Sequence, residues 1–445
     1  YILGYVEFFD RKFHVNQHTL VPRPETEYMI TAVDEFIHES TKNEPQHAPA
    51  KETVFQKARD GALFAGAIIA GQELRSEEKF DTSNPFDGSK IGTVEDCDAS
   101  HVDAAVKVAR STFESGAWSR MPLVERKNAM QRWVELMQEH AEELAALDCV
   151  DAGKPITECL ETDIPETLHT FTWYAEIADK LFGKVAPTDS DALSLIVKEP
   201  IGVVAAVLPW NFPAQMFAWK VAPALAAGNS IVVKPAEQTS LSAYRMVELA
   251  EAAGIPAGVL SLVTGFGEKV GMPLGLHNDV DVVSFTGSTE VGRLFLQYSA
   301  QSNLKEVVLE CGGKSPQVIF EDAYSLEDIA DDVLSAAFWN MGENCSCGSR
   351  LIVHSSVKDQ LLDILTTRLA QWKLGDPTDP ETMVGPLVEP VHFEKVSSYL
   401  EKAKAEGAKL VYGGGTPAIG AGLFVEPTIF DEVTADMTLF KEEVF

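Results

Sequence analysis

Short, unbroken apolar runs mark the second half of the chain. They fall at residues 201–208, 230–233, 259–263 and 280–285, and apolar residues recur at helical spacing between them, at 241–253, 269–276 and 290–300. Runs of this length bounded by loop residues suit strands covered on both faces, and strand–helix repetition predicts a doubly wound, largely parallel sheet. A second series (strand 317–320, helix 326–341, strand 351–354, helix 358–372) predicts another α/β domain. Upstream, helical spacing covers 98–115, with Asp98 or Ser100 as the N-cap, and 126–146, and an aromatic-rich helix runs over 171–182. In the first 45 residues the apolar–polar alternation from Tyr5 to Val15 predicts a hairpin. A stiff Val-Pro-Arg-Pro stretch and a short helical pattern from Glu25 follow it. Residues 41–52 are polar and alanine-rich, and the linker proper is expected at 46–52.

A chain of 445 residues has room for two or three cores. Its formal net charge of −31 argues against nucleic acid and anionic membrane as partners. No run of 18 apolar residues occurs, and no basic segment followed by an apolar stretch opens the chain, so neither a membrane span nor a secretory signal is expected. The six cysteines, at 97, 149, 159, 311, 345 and 347, are too few for a disulfide framework and point to a reducing, cytoplasmic setting. Cys345-Ser-Cys347 is the one close pair. With no second pair or His-x₃-His beyond it, no metal is expected.

Six segments carry candidate chemistry. Cys345 stands in a loop between Gly342 and Gly348, where a thiol is better placed for reaction than for packing. Glu310 ends a strand before Gly312-Gly313, as a proton-handling carboxylate or as a partner for Lys314. Asn211, in Pro-Trp-Asn-Phe-Pro at 209–213, is either an amide donor at a strand's carboxyl end or a helix N-cap. Lys234 and Glu237, at the end of the 230–233 run, suit the hydroxyls of a ribose, or else a solvated lysine and a helix-start glutamate. Phe-Thr-Gly-Ser-Thr at 285–289 and Gly265-Phe-Gly267 are strand–helix turns. Gly287 and Ser288 open a helix whose N–H groups could face a phosphate. Cys347 and Cys311 read as packing residues, with a lesser chance that Cys347 pairs reversibly with Cys345.

In this order, Pro-Trp-Asn-Phe-Pro at 209–213, Lys-Pro-Ala-Glu at 234–237, Phe-Thr-Gly-Ser-Thr at 285–289, Leu-Glu-Cys-Gly-Gly-Lys at 309–314 and Gly-x-x-Cys at 342–345 resemble the aldehyde dehydrogenase superfamily. The resemblance runs from about residue 53 to 445. It is nearest to the hydrolytic branch that acts on γ-glutamyl-aminobutyraldehyde and betaine aldehyde. It implies an α/β fold: an NAD-binding domain over 53–182 and 201–309, a bridging hairpin at 183–200 and a catalytic domain over 310–445. It also implies a homodimer or homotetramer, with an aldehyde oxidised to an acid using NAD. Cys345 would attack the carbonyl. The Asn211 side chain and the Cys345 N–H would hold the oxyanion, and Glu310 would activate water. Trp210, Lys234, Glu237, Gly267, Gly287, Ser288, Glu443 and Phe445 would line the cofactor. Asp163, Trp173 and Trp219 would line the substrate tunnel, Asp163 offering charge to an amine-bearing aldehyde.

Three departures qualify the likeness. Glu343 stands where the family often has glutamine, and a charge there would raise the thiol pKa. Cys347 stands where alanine is common. The chain ends at Phe445, inside a motif that usually continues with Gly-Pro, which implies an incomplete catalytic domain and weak activity, or a pseudo-enzyme that keeps only the fold. At the front, Leu-Val-Pro-Arg-Pro-Glu-Thr-Glu at 20–27 resembles the start of release-factor glutamine methyltransferases. That family's glycine-rich loop and Asn-Pro-Pro-Tyr motif are absent, so residues 1–45 are expected to be a non-catalytic remnant.

Overall fold

Val203–Val207 is buried on both faces and forms strand β3. Its side chains divide by the two-residue period of a strand: Val204 and Ala206 join one apolar core, and Val203, Ala205 and Val207 join another. The same division continues into the neighbouring strand β4, Ser230–Lys234, where Ile231 and Val233 enter the first core and Val232 the second. A continuous apolar run is what such a strand needs, since neither face meets water.

Around this pair the computed structural model builds one seven-stranded sheet. It describes residues 51–323 and 325–445, together with the backbone of Gly4–Phe8 and Arg11–Val15. Numbering only the strands used here, β1 is Ala67–Ile69, β2 Gln72–Leu74, β5 Leu260–Leu262, β6 Val282–Gly287 and β7 Glu306–Cys311. The order across the sheet is β7-β6-β3-β4-β5-β1-β2. The five strands from β7 to β5 are mutually parallel, and β1 and β2 extend the edge antiparallel. The chain therefore steps outward from β3 in one direction through β4 and β5, then returns to the other side of β3 with β6 and β7. Ligands bind at the carboxyl ends of strands beside such a reversal.

Helices cover both faces. Numbered likewise, α1 (Ala99–Ser115) contributes Val102, Ala105, Val106 and Ala109 to the second core, and α7 (Thr289–Gln301) contributes Phe295. Asp98 caps α1, its carboxylate accepting from the N–H groups of Ser100 and His101. On the opposite face lie α2 (Leu123–Glu139), α3 (Ala141–Ala152), α4 (Ile164–Ile177), α5 (Pro213–Ala227) and α6 (Leu241–Ala252). The single helix expected over 126–146 is two, broken at His140. The aromatic helix expected at 171–182 begins earlier, at Ile164, and ends at Ile177.

Beyond β7 a smaller parallel pair, β8 (Pro316–Ile319) with β9 (Arg350–Val353), packs on α8 (Leu326–Phe338) and α9 (Lys358–Leu369) around Ala330, Val333, Leu334, Leu361, Leu365 and Leu369. The helix expected over 326–341 stops at Phe338, because Asn340 and Met341 turn left-handed. Lys184–Ala186 pairs antiparallel with Ser194–Ile196 within the stretch expected to form a hairpin.

The chain separates into two units, Tyr1–Ala48 and Pro49–Phe445. In the first, Gly4–Phe8 pairs antiparallel with Arg11–Val15, as the alternation predicts. The Val-Pro-Arg-Pro stretch and the pattern from Glu25 lie outside the described residues. In the second, a helix runs over Lys51–Arg59 and so takes up the last two residues of the expected linker. Among the described residues no helix is long and apolar enough to cross a membrane, and no cluster of metal-ligating side chains occurs.

Trp133 ties α2 to the rest of the first core. It meets Phe171 of α4 and Phe217 of α5 at centroid distances of 4.7 and 6.0 Å, and its Nε1–H donates to Met246 O of α6 at 3.0 Å. Trp133→Ala should lower unfolding stability by about 3–5 kcal/mol through the cavity left behind. Denaturant titration reads this directly, and a loss under 1 kcal/mol would contradict the packing described.

Candidate active site

Three parallel strands deliver their carboxyl ends to one edge of the sheet. β4 ends at Lys234. Its amine is buried, donating to Glu237 Oε2 at 3.0 Å and to Pro235 O at 2.9 Å, so the lysine is not a solvated one. After β5, Gly267 has open space where a side chain would stand. After β6, Ser288 caps α7, its Oγ accepting from Val291 N at 3.2 Å. A partly exposed carboxylate beside a lysine, an open glycine and a helix N-terminus at neighbouring strand ends fit the ribose and phosphates of a dinucleotide.

β3 ends at the Pro-Trp-Asn-Phe-Pro turn. Asn211 does not cap α5: the N-cap position is Phe212, and no side chain caps it. Instead the buried Asn211 side chain crosses to the thiol loop, its Nδ2 donating to Glu343 O at 2.9 Å. One of its two N–H bonds is used there, and among the described residues the other has no partner.

The thiol loop follows α8. Asn340 (φ 53°), Met341 (φ 57°) and Gly342 (φ 79°) all adopt left-handed backbone, which is costly for methionine, and they reverse the chain. Cys345 follows three residues after Gly342, half-buried, with its own N–H and that of Ser346 beside the sulfur. Burial lifts the thiol pKa, those N–H groups oppose it, and the carboxylates of Glu443 and Glu310 raise it further. Glu310 stands on β7 opposite Thr286 of β6, exposed, and with no ion pair to Lys314 among the described residues.

The Gly312-Gly313 step after β7 lets the last segment approach. A Cβ at Gly312 would overlap the Glu443 carboxylate, and Gly313 N donates to Glu443 Oε1 at 3.2 Å. Phe445 lies edge-on to Trp210 at 5.2 Å and to His392 at 5.7 Å. Glu443 and Phe445 thus gather, with Trp210, where the turn that carries Asn211 meets the loop that carries Cys345.

Two sequence expectations are corrected. Asp163 is 0% exposed and ion-paired with Lys154, so it offers no charge to a substrate; a buried carboxylate needs a partner, and the lysine nine residues earlier is that partner. Trp173 and Trp219, on the adjacent helices α4 and α5, are exposed, and Glu166 is the exposed acid on α4. Glu343 puts no negative charge beside the thiol. Its carboxyl is buried, 3.3 Å from His392 Nε2, and burial pushes its pKa well above the ordinary range. The His392 imidazole is likewise kept neutral by burial, with its pKa near 4. Cys347 Sγ turns to α8, donating to Ala337 O at 3.1 Å, and burial lifts its thiol to about 11.

Four residues at the site escape sequence reading: Lys154, Lys220, Asn340 and His392. Lys220 had a signal, being the one charged residue of α5 and at a buried position. Its amine donates to Ser284 Oγ at 3.2 Å, and burial lowers its pKa to about 8 against the attraction of Glu310. Lys154 lies behind Asn211 within a set of buried acids. Burial raises Asp148, Asp151 and Glu158 each to about 7.

The sequence profile of the aldehyde dehydrogenase family matches residues 72–445. An aminoacetaldehyde dehydrogenase from Pseudomonas aeruginosa is 53% identical over 366 residues, 82% of this chain and 73% of that protein. Among solved structures, the aldehyde dehydrogenase KauB from Pseudomonas aeruginosa superposes with a TM-score of 0.86 at 44% identity, covering 89% of this chain and 81% of the other. An aldehyde dehydrogenase from Bacillus cereus, solved with NAD+, gives 0.85 at 40% identity, covering 90% and 81%. The matched region lies after the first unit, and these similarities do not favour a fold kept without chemistry. A thiol loop facing a strand-end amide and carboxylate, on a sheet of this topology, is accounted for by descent as well as by chemistry: the chain belongs to the aldehyde dehydrogenase family.

Proposed function

We propose that the chain oxidises a small, amine-bearing aldehyde to its carboxylic acid with NAD as acceptor. The observation that carries this reading is the meeting of Cys345, Asn211 and Glu310 at the carboxyl edge of the sheet, beside the Lys234–Glu237 pair. The Cys345 thiol gives its proton to solvent as the sulfur bonds to the aldehyde carbon, and the carbonyl π pair moves to the oxygen, which gathers negative charge. The second N–H of Asn211 and the Cys345 backbone N–H are the donors available to it. NAD, when bound, supplies the acceptor for the hydride that leaves the substrate carbon. What remains on Cys345 is a thioester. Glu310 takes a proton from water, the oxygen attacks the thioester carbonyl, and the C–S bond breaks with its pair on sulfur, which takes that proton back to give the acid and the free thiol.

Lys234, Glu237, the α7 N-terminus at Ser288 and the Glu443 carboxylate are the groups that would hold the dinucleotide. Glu237 at a strand end favours a free ribose hydroxyl over a 2′-phosphate, which supports NAD over NADP. Exposed Trp173, Trp219 and Glu166 support an ammonium-bearing substrate, and so does the 53% identical relative named for aminoacetaldehyde. The hairpin of Lys184–Ala186 and Ser194–Ile196 exposes Val185, Leu193, Leu195 and Ile196, which supports self-association through that surface.

Three outcomes follow. Glu310→Gln should keep a first turnover of NADH close to one per thiol, while steady-state turnover falls by about 10²- to 10⁴-fold as the thioester waits for water. An unchanged steady state would remove Glu310 from the mechanism. Because Glu443 raises the Cys345 pKa, Glu443→Gln should speed iodoacetamide labelling of the cofactor-free protein at pH 7.5 by about two- to fivefold. The labelling profile, which rises with pH through the thiol pKa, should move to lower pH, and a shift to higher pH would contradict the assignment. Finally, kcat/KM for 3-aminopropanal should exceed that for butanal by about tenfold. Equal values would leave the aldehyde reading intact and discard the ammonium preference.

A further inference from the structure

The carbonyl oxygen of Asn211 accepts from two side chains that no step of the reaction uses. Lys154 Nζ donates to it at 3.3 Å and Asn340 Nδ2 at 3.0 Å. Asn340 Nδ2 also donates to Glu343 O at 3.0 Å, the same carbonyl that receives the Asn211 side chain. The Asn340 carboxamide is 0% exposed and spans two loops, one carrying the oxyanion donor and one the nucleophile. Lys154 is held from behind by Asp163, and its ammonium lies 4.0 Å from the centroid of the Phe212 ring. Burial works to discharge this amine, but the charge of Asp163 leads the attractions that outweigh it, and its pKa is raised. A cation and an amide therefore grip the Asn211–Phe212 peptide from two sides.

We propose that Asn340 and Lys154 form a positioning clamp that fixes the Asn211 side chain relative to Cys345. Both act through Asn211, and neither reaches the reacting atoms. An oxyanion donor is effective only at a set distance from where charge develops, and an amide on a turn between two prolines has no regular hydrogen-bond ladder to hold it there. The clamp supplies that rigidity, and it accounts for the left-handed Asn340. In that backbone the short amide reaches both carbonyls, and asparagine tolerates the conformation better than most residues. The role rests on the reading of Cys345 as an acyl acceptor.

The test is ester cleavage without cofactor. With p-nitrophenyl acetate, the Cys345 sulfur forms the acyl bond through the same oxyanion, the ester C–O bond breaks, and p-nitrophenolate leaves with the electron pair while buffer takes the thiol proton. Asn340→Gly keeps a residue suited to positive φ and deletes only the amide. Its burst of p-nitrophenolate should slow by roughly 10- to 100-fold with little change in KM, while iodoacetamide labelling of Cys345, which builds no oxyanion, stays within about twofold. Lys154→Met paired with Asp163→Asn removes both buried charges together, avoiding a stranded carboxylate, and should show the same split. An N340G burst as fast as the unaltered chain's would overturn the clamp alone. Equal losses in burst and labelling would replace positioning with collapse of the loop. Absence of any burst from the unaltered chain would overturn the acyl-acceptor reading, and the clamp with it.

Discussion

β3 is pressed between two helical layers, and the site depends on that confinement. Its five residues are small or branched, buried on both sides, and hydrogen-bonded to β4 and β6. The strand cannot shift register without moving each side chain to the other core. Its carboxyl end is therefore a fixed point, and the turn carrying Trp210 and Asn211 starts from it. β4, β5 and β6 run parallel to it and end at the same edge. The segment bearing Glu310 is the next strand out, so the sheet sets the spacing between amide, carboxylate and cofactor-binding groups before any side chain contributes.

The thiol loop is placed differently. No sheet holds Cys345. It follows a helix that breaks into left-handed backbone, and it is tied to the β3 turn by side-chain amides donating to backbone carbonyls. A buried carbonyl without a donor is costly, so these bonds are specific as well as stabilising. Electrostatically the loop does little to activate the sulfur. Burial and two neighbouring carboxylates raise the thiol pKa, and only the two N–H groups at the sulfur oppose them. Geometry for the transition state, rather than a preformed thiolate, is what the surroundings supply.

Much of this was legible in the letters. The apolar runs at 201–208 and 280–285 contain β3 and β6 because strands buried on both faces leave an unbroken signature. The Asn211, Lys234, Ser288 and Glu310 motifs could be placed at strand ends for the same reason. Asp163 was misread because a buried ion pair and a solvated acid look alike in sequence; only the fold shows that Lys154, across a turn, faces it. Glu343 was misread because its letter gives a charge, whereas its burial withholds one. Asn340 left no periodic signal, since left-handed backbone interrupts the helical pattern that would have placed it. The break at His140 was invisible because apolar spacing continues on both sides of it.

The buried acids around Lys154 change what the formal charge means. Asp148 and Asp151 are each held near 7, far above a carboxylate in water, and Glu158 with them. In an unfolded chain all three would give up their protons well below neutrality. Folding at mildly acidic pH therefore draws protons out of solution and into the wall behind the oxyanion donor. The formal count of −31 describes the extended polymer. Burial moves these three groups toward the neutral acid in the folded molecule, so folding and proton uptake are linked there.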